Sequence, residues 1–333
     1  MASDATRGPL LDVEDLRSVF HTPRGTVHAV NGVSFTVHRG ELLGIVGESG
    51  CGKSATIRSL IGLLRPPGEV VGGRAMFLGD DLLSMAPRRR RRLLGTRLGF
   101  VPQNPFGSLN PVMSIERQFR RVITEHTKAS RAQARDLAGE MLSRAGIADP
   151  SRVLNGYAHQ LSGGMAQRTV LAIAMCLDPD LVIADEPTTG LDVTVQRQIL
   201  DLTMELLEAE RRAMLLVTHD LGVVAQYCTR VIVMYAGKVV EHGAVAEVFS
   251  RPAHPYTELL LEAVPRPGQP LVVAKGRIPD LIDYPRGCPF YDRCSYQHDP
   301  RCETEAPPLR EISPGHHAAS FYDLPDHAAA EVS

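Results

Sequence analysis

The sequence predicts a mixed α/β fold. Three observations predict it. Leu181 to Ala184 and Met214 to Thr218 are short apolar runs of the kind that form buried parallel strands. Arg131 to Ala145 and Val193 to Glu210 have helical spacing and alternate with those strands. Glu41 to Val46 is a third apolar strand, and it runs directly into a glycine-rich segment.

Composition bounds what the chain does. Its 333 residues suit one large domain or a domain with an appendage. At 44% hydrophobic and 22% charged it reads as an ordinary globular protein. A net charge of −2 gives no footprint for nucleic acid. No stretch approaches the apolar length of a membrane helix. The start, Met1-Ala2-Ser3-Asp4-Ala5, lacks the regions of a secretion signal, so the expected location is cytosolic. Disulfides are then not expected among the six cysteines.

The elements follow in order. Val27 to Val37 alternates in part, and Arg39-Gly40 turns the chain into the strand Glu41 to Val46. Arg88 to Arg92, five arginines in a row, reads as a solvated helix start rather than a nucleic-acid or lipid-phosphate patch. Leu98 to Pro102 is a strand. Val231 to Glu241, with Ala236-Gly237 inside, is a hairpin. His254-Pro255-Tyr256-Thr257 reads as a helix-starting turn. Helical periodicity stops after about Ala263 and prolines become frequent, which places a boundary near residue 250. The expected organisation is a domain over 1–250 and an extension over 251–333. The extension reads as loop-rich, too short to bury a core alone, and frayed over its last dozen residues.

Gly47-Glu48-Ser49-Gly50-Cys51-Gly52-Lys53-Ser54 fits G-x-x-x-x-G-K-[ST] between a strand and a helix. Its glycines let backbone N–H groups approach phosphate oxygens, and the helix N-terminus adds positive potential. Lys53 would reach the β- and γ-phosphates and Ser54 would coordinate Mg²⁺. Cys51 reads as a tolerated filler position. Asp185 and Glu186 end a buried strand: Asp185 suits the Mg²⁺ shell, and Glu186 suits orienting and deprotonating an attacking water. Gln103 and His219 stand at further strand ends, Gln103 toward Mg²⁺ or water and His219 toward the γ-phosphate. Open α/β sheets bind ligands at that edge.

The ordered set Gly47–Ser54, Gln103, Leu161-Ser162-Gly163-Gly164-Met165-Ala166-Gln167-Arg168, Leu181–Glu186, Leu191-Asp192 and His219 resembles the ATP-binding-cassette (ABC) ATPases over about residues 10–250. The resemblance implies a P-loop NTPase fold of the ABC type. It adds an N-terminal antiparallel β region and a helical signature subdomain at about 104–175. It implies a head-to-tail dimer in which Ser162, Gly163 and Gly164 clamp the γ-phosphate of the ATP on a neighbouring subunit. Asp192 belongs to the same nucleotide motifs. An adenine-stacking residue is expected near the N-terminal strands: Phe20, or Arg24 through its guanidinium plane.

Beyond residue 250, His254–Thr257, Ile278-Pro279-Asp280-Leu281 and Gly287-Cys288-Pro289-Phe290 with Arg293-Cys294 resemble the extension of oligopeptide and dipeptide importer ATPases. So do Gln103–Pro111 and Met165. The resemblance implies a peripheral subunit on the cytoplasmic face of the membrane, hydrolysing ATP to drive peptide import. Its partners would be a second ATPase subunit in a heterodimer, two permeases and an extracytoplasmic binding protein. The same role in a nickel, glutathione or oligosaccharide importer is the alternative. A regulatory or nucleic-acid-dependent ATPase using Arg88–Arg92 is a distant second class. Phe106, Leu109, Met113, Ile115 and Phe119 divide between core packing and a groove for a permease helix.

Cys288, Cys294 and Cys302 are the remaining signal. In related importer ATPases this region holds a [4Fe–4S] cluster on four cysteines, but here the fourth position is Ser320. The readings are an iron–sulfur cluster, a structural zinc with His316 or His317 as fourth ligand, or no metal.

Overall fold

A computed structural model describes residues 8–208, 212–265, 276–296 and 299–324. They fall into two compact units. The described residues up to Val37, within Leu42–Ser84 and from Thr218 on supply the first, and those of His38–Glu41 and Met85–Val217 supply the second. The extension beyond residue 250 therefore belongs to the unit that carries the phosphate loop.

The first unit opens with β1 (Leu11–Thr22) and β2 (Gly25–Val37), an antiparallel hairpin paired from Leu11↔Val37 to Thr22↔Gly25. Leu11, Val13 and Leu16 of β1 face the core; a bulge at Asp15 (φ 46°) resets the alternation between Val13 and Leu16. β3 (Leu42–Val46) follows, buried from Leu43 on, and α1 (Lys53–Leu60) leaves it through the glycine-rich loop. β4 (Gly68–Phe77) and the short β5 (Asp80–Asp81) complete an antiparallel sheet in the order β2-β1-β4-β5.

The second unit starts with α2 (Pro87–Leu93), which holds the five arginines and buries none of its residues. Next come β6 (Leu98–Val101) and the helices α3 (Pro105–Ser108), α4 (Ile115–His126), α5 (Arg131–Arg144) and α6 (Pro150–Asn155). Ser114 caps α4, and Ser130 with Gln133 forms a capping box on α5, so each helix begins where a side chain satisfies its first N–H groups. α7 (Gly163–Met175), β7 (Leu181–Asp185), α8 (Val193–Glu208) and β8 (Ala213–Val217) follow. Ala209 and Glu210 lie outside the described residues. β6, β7 and β8 are parallel neighbours; β7 and β8 are buried at every residue, as strands covered on both faces are.

The chain then returns to the first unit. α9 (Leu221–Tyr227) leads to β9 (Arg230–Tyr235), which runs parallel to β3. β10 (Lys238–Ala244) turns back on it through Ala236-Gly237, the expected hairpin. α10 (Val245–Ser250) and α11 (Pro255–Glu262) follow. The extension is loop-rich through residues 276–296 but regains order in α12 (Arg301–Thr304) and the hairpin of β11 (Leu309–Ser313) and β12 (His316–Ala319). β12 pairs with β10, so the strand order in this unit is β11-β12-β10-β9-β3. Of the dozen terminal residues expected to fray, 325–333 lie outside the described residues.

A shared core ties the extension to the phosphate loop. Tyr235, Tyr256 and Phe290 pack ring to ring, with centroids 4.6 Å apart for the tyrosines and 5.2 Å for Tyr235–Phe290. Such pairs contribute about 0.5–1.5 kcal/mol each beyond the area they bury.

Candidate functional site

The phosphate loop sits where its chemistry requires. At Gly47 (φ 148°) a Cβ would lie 2.2 Å from the Met234 carbonyl oxygen; at Gly52 (φ 106°) it would lie 2.3 Å from that of Ala29. Only glycine fits either place. Lys53 is 5% exposed, and its Nζ donates to the carbonyl oxygens of Gly47 (2.6 Å) and Glu48 (3.1 Å), folding the ammonium over the loop. Ser54, half-buried, follows in the first turn of α1, and Ser49 and Gly50 form the exposed tip. Cys51 is fully buried; burial pushes its thiol up, against the pull of Lys53, so it is a neutral packing residue.

Gly47 and Glu48 share a cavity of about 470 Å³ with His219, Asp220, Leu260 and Val264. His219 is exposed, and the next residue, Asp220, caps α9 by accepting from the N–H groups of Gly222 and Val223. The first unit thus brings His219 to the loop.

In the second unit Glu186 follows β7 with φ 47°, a strained conformation for a non-glycine residue. Its N–H donates to Val217 O (2.9 Å), and its own carbonyl accepts from Thr189 N (3.2 Å), which holds the strain in place. Gln103 Nε2 and Thr189 Oγ1 each donate to Glu186 Oε2 at 3.0 Å. The structure brings Gln103 and Glu186 together and adds Thr189. Asp185 is 1% exposed at the end of β7. The hydroxyl, amide and carboxylate oxygens of Ser54, Gln103 and Asp185 are hard donors that suit Mg²⁺.

Ser162 is the N-cap of α7, accepting from Met165 N at 3.3 Å, and is exposed. Gly163 and Gly164 are the first two helical residues; a Cβ on Gly164 would reach 3.0 Å from Val195 Cγ1. Asp192 accepts from Val195 N (3.0 Å) and so opens α8. Phe20 is half-buried in β1, its ring over Gly68, while Arg24 is 81% exposed and pairs with Asp280 of the extension at 3.4 Å.

The metal readings of the cysteine cluster find no support among the described residues. Cys288, Cys294, Cys302 and Ser320 do line one cavity, but it holds only about 20 Å³. Among the described residues no group of three or more His, Cys, Asp or Glu side chains is arranged to hold a metal ion. Ser320 Oγ donates to Tyr322 O (2.6 Å), and the Tyr322 hydroxyl lies 3.3 Å from Cys294 Sγ. His316 Nε2 is bonded to Glu241 Oε1 at 2.7 Å, and His317 stacks on His242 with ring centroids 4.6 Å apart. In this arrangement these residues support neither a [4Fe–4S] cluster nor a zinc site.

Of the apolar residues after Gln103, Ile115 and Phe119 are fully buried and Leu109 is 3% exposed, while Phe106 is 44% exposed. A cavity of about 370 Å³ opens beside them, lined by Phe100, Leu109, Met113, Val122, Val170 and Ile173 among others. Sequence reading missed Arg293 as a site residue. Its guanidinium grips both oxygens of Glu48, at 2.7 and 2.8 Å, across 245 positions of sequence, and no local pattern signals a pairing at that distance.

Residues 30–189 match the family described as "ABC transporter", and residues 240–302 match "Oligopeptide/dipeptide transporter, C-terminal region". The chain is 46% identical over 326 residues to a probable peptide ABC transporter ATP-binding protein of Sinorhizobium fredii, covering 96% of this chain and 97% of that protein. The chain belongs to the ABC transporter ATP-binding family. This ABC ATPase is also 43% identical to the oligopeptide transport ATP-binding protein OppD of Salmonella typhimurium, over 96% of its own length and 97% of the relative's. A solved dimeric bacterial ABC transporter cassette is similar with a TM-score of 0.64 at 25% identity, covering 71% of this chain and 98% of the cassette. The fold is therefore that of the ABC ATPases, whose cofactors are ATP and Mg²⁺.

Proposed function

We propose that this ABC ATPase binds and hydrolyses ATP to power import of dipeptides and oligopeptides across the bacterial cytoplasmic membrane. The observation that carries the reading is likeness along nearly the whole chain to peptide-transport ATP-binding proteins, extension included.

The residues take the following parts. Lys53 and the N–H groups of the glycine loop bind the β- and γ-phosphates. Ser54, Asp185 and Gln103 hold Mg²⁺, which neutralises phosphate charge when bound. Glu186 accepts a proton from the attacking water, and Gln103 with Thr189 fixes the carboxylate by one oxygen. His219 contacts the γ-phosphate. Ser162, Gly163 and Gly164 present a helix N-terminus to the nucleotide on a second subunit, in a heterodimer. Phe20 or Arg24 stacks on adenine.

Among the described residues no helix is long and apolar enough to cross a membrane. Attachment to the cytoplasmic face then runs through two permeases, whose coupling helices suit the apolar groove beside Met113 and Val122. An extracytoplasmic binding protein delivers the peptide. Growth on a peptide as sole source of an essential amino acid, lost on deletion of the gene and restored by the wild-type copy but not by Lys53→Ala, tests the assignment. Unimpaired peptide uptake in the deletion strain would remove the cargo from this reading.

A further inference from the structure

We propose that Arg293, in the C-terminal extension, is a positioning residue of the nucleotide site: it cancels the charge of Glu48 inside the phosphate loop. The inference rests on the reading of Gly47–Ser54 as the triphosphate cradle and adds a requirement that this reading does not contain.

Glu48 is an acid in a loop whose task is to bind a polyanion. Left alone, its carboxylate would oppose the phosphates through the same low-dielectric surroundings that strengthen Lys53. Both its oxygens are taken by Arg293, Oε1 from Nη2 at 2.7 Å and Oε2 from Nη1 at 2.8 Å. This two-point geometry is the strong form of the arginine–carboxylate pair and fixes direction as well as charge. The arginine is the more buried partner, with its side chain 4% exposed against 27% for Glu48. Its guanidinium lies over the rings of Tyr235 and Phe290, at 5.5 and 5.6 Å, and donates to the Tyr235 hydroxyl at 3.2 Å. The Glu48 backbone N–H is fixed as well, donating to the Tyr256 hydroxyl at 2.7 Å. Tyr256 and Arg293, both from beyond residue 250, thus converge on one position of the phosphate loop, with Tyr235 of β9 bracing the arginine. The contact asks for nothing from the cysteine cluster beside it.

Binding of ATP, ADP and adenosine to the full chain, by titration calorimetry, separates charge cancellation from packing. Arg293→Met is expected to weaken ATP about tenfold or more, ADP less, and adenosine not at all. Glu48→Gln removes the charge that Arg293 cancels, so the double variant Arg293→Met/Glu48→Gln is expected to recover most of what Arg293→Met loses. Arg293→Lys keeps the charge without the fork, folds if the methionine variant does not, and is expected to raise the KM for ATP in the assembled transporter while sparing kcat. Equal losses for adenosine and ATP, or a double variant no better than Arg293→Met, would overturn the proposal and leave Arg293 a packing residue. A wild-type chain that fails to bind ATP would instead remove the cradle reading, and this inference with it.

Discussion

Glu186, at a strained φ, has its Oε2 held by Gln103 and Thr189, donors from different segments. That arrangement fixes where a base would point, which a carboxylate on a free loop could not do. Glu186→Gln is expected to leave ATP affinity within about threefold and to cut steady-state hydrolysis in the assembled transporter by about a hundredfold or more. Hydrolysis at the wild-type rate would take the residue out of the chemistry. These positions were legible because strand ends and glycine spacing place Asp185, Glu186, Gln103 and Lys53 by local rules alone. The cysteines were legible only as a motif. Whether they suit a metal depends on what Ser320, Tyr322 and His316 do instead, and those bonds are tertiary. Anaerobically purified protein is accordingly expected to carry no stoichiometric iron, sulfide or zinc. A visible iron–sulfur absorption band would refute that.

Single elements show how a family marker earns its place. His254 is 2% exposed and caps α11, its Nδ1 accepting from Tyr256 N at 3.0 Å. Only a neutral imidazole accepts there, and burial pushes its pKa down from 6.5 to about 3. His242, at the pairing of β10 with β12, is pushed down to about 4, chiefly by burial and then by His317. A base whose folded pKa is depressed gives its full stability above the unfolded value of about 6.5. Acid then favours the unfolded chain, which takes up the protons first. The urea midpoint is therefore expected to hold near pH 7.5 and to fall steadily between pH 6.5 and pH 4. His254→Asn, which keeps a capping oxygen without the titration, is expected to flatten part of that slope. An identical slope in the variant would acquit His254. Sequence gave the turn at His254 but not the hairpin of β11 and β12. Those strands are short, and β11 is half exposed, so neither shows the alternation that marks a longer one.

For the molecule as a working part, the groove beside α4 and α7 is the surface where the proposed role meets a partner. Val112 is 82% and Phe106 44% exposed in the second unit. Met113→Asp and Val122→Asp are expected to release the permeases on detergent co-purification, with ATP binding measured alongside to show the chain intact. Permeases retained at wild-type yield by both variants would place the docking surface elsewhere. The pairing of Glu241 with Ala318 and of His242 with His317 has a consequence for how such chains are shortened or recombined. A cut made where the shared ABC cassette gives way to the extension would bare β10 at Glu241 and His242 and turn that flank outward, an edge for other copies to join. Exchange between relatives is therefore best made with β11 and β12 kept together with β10.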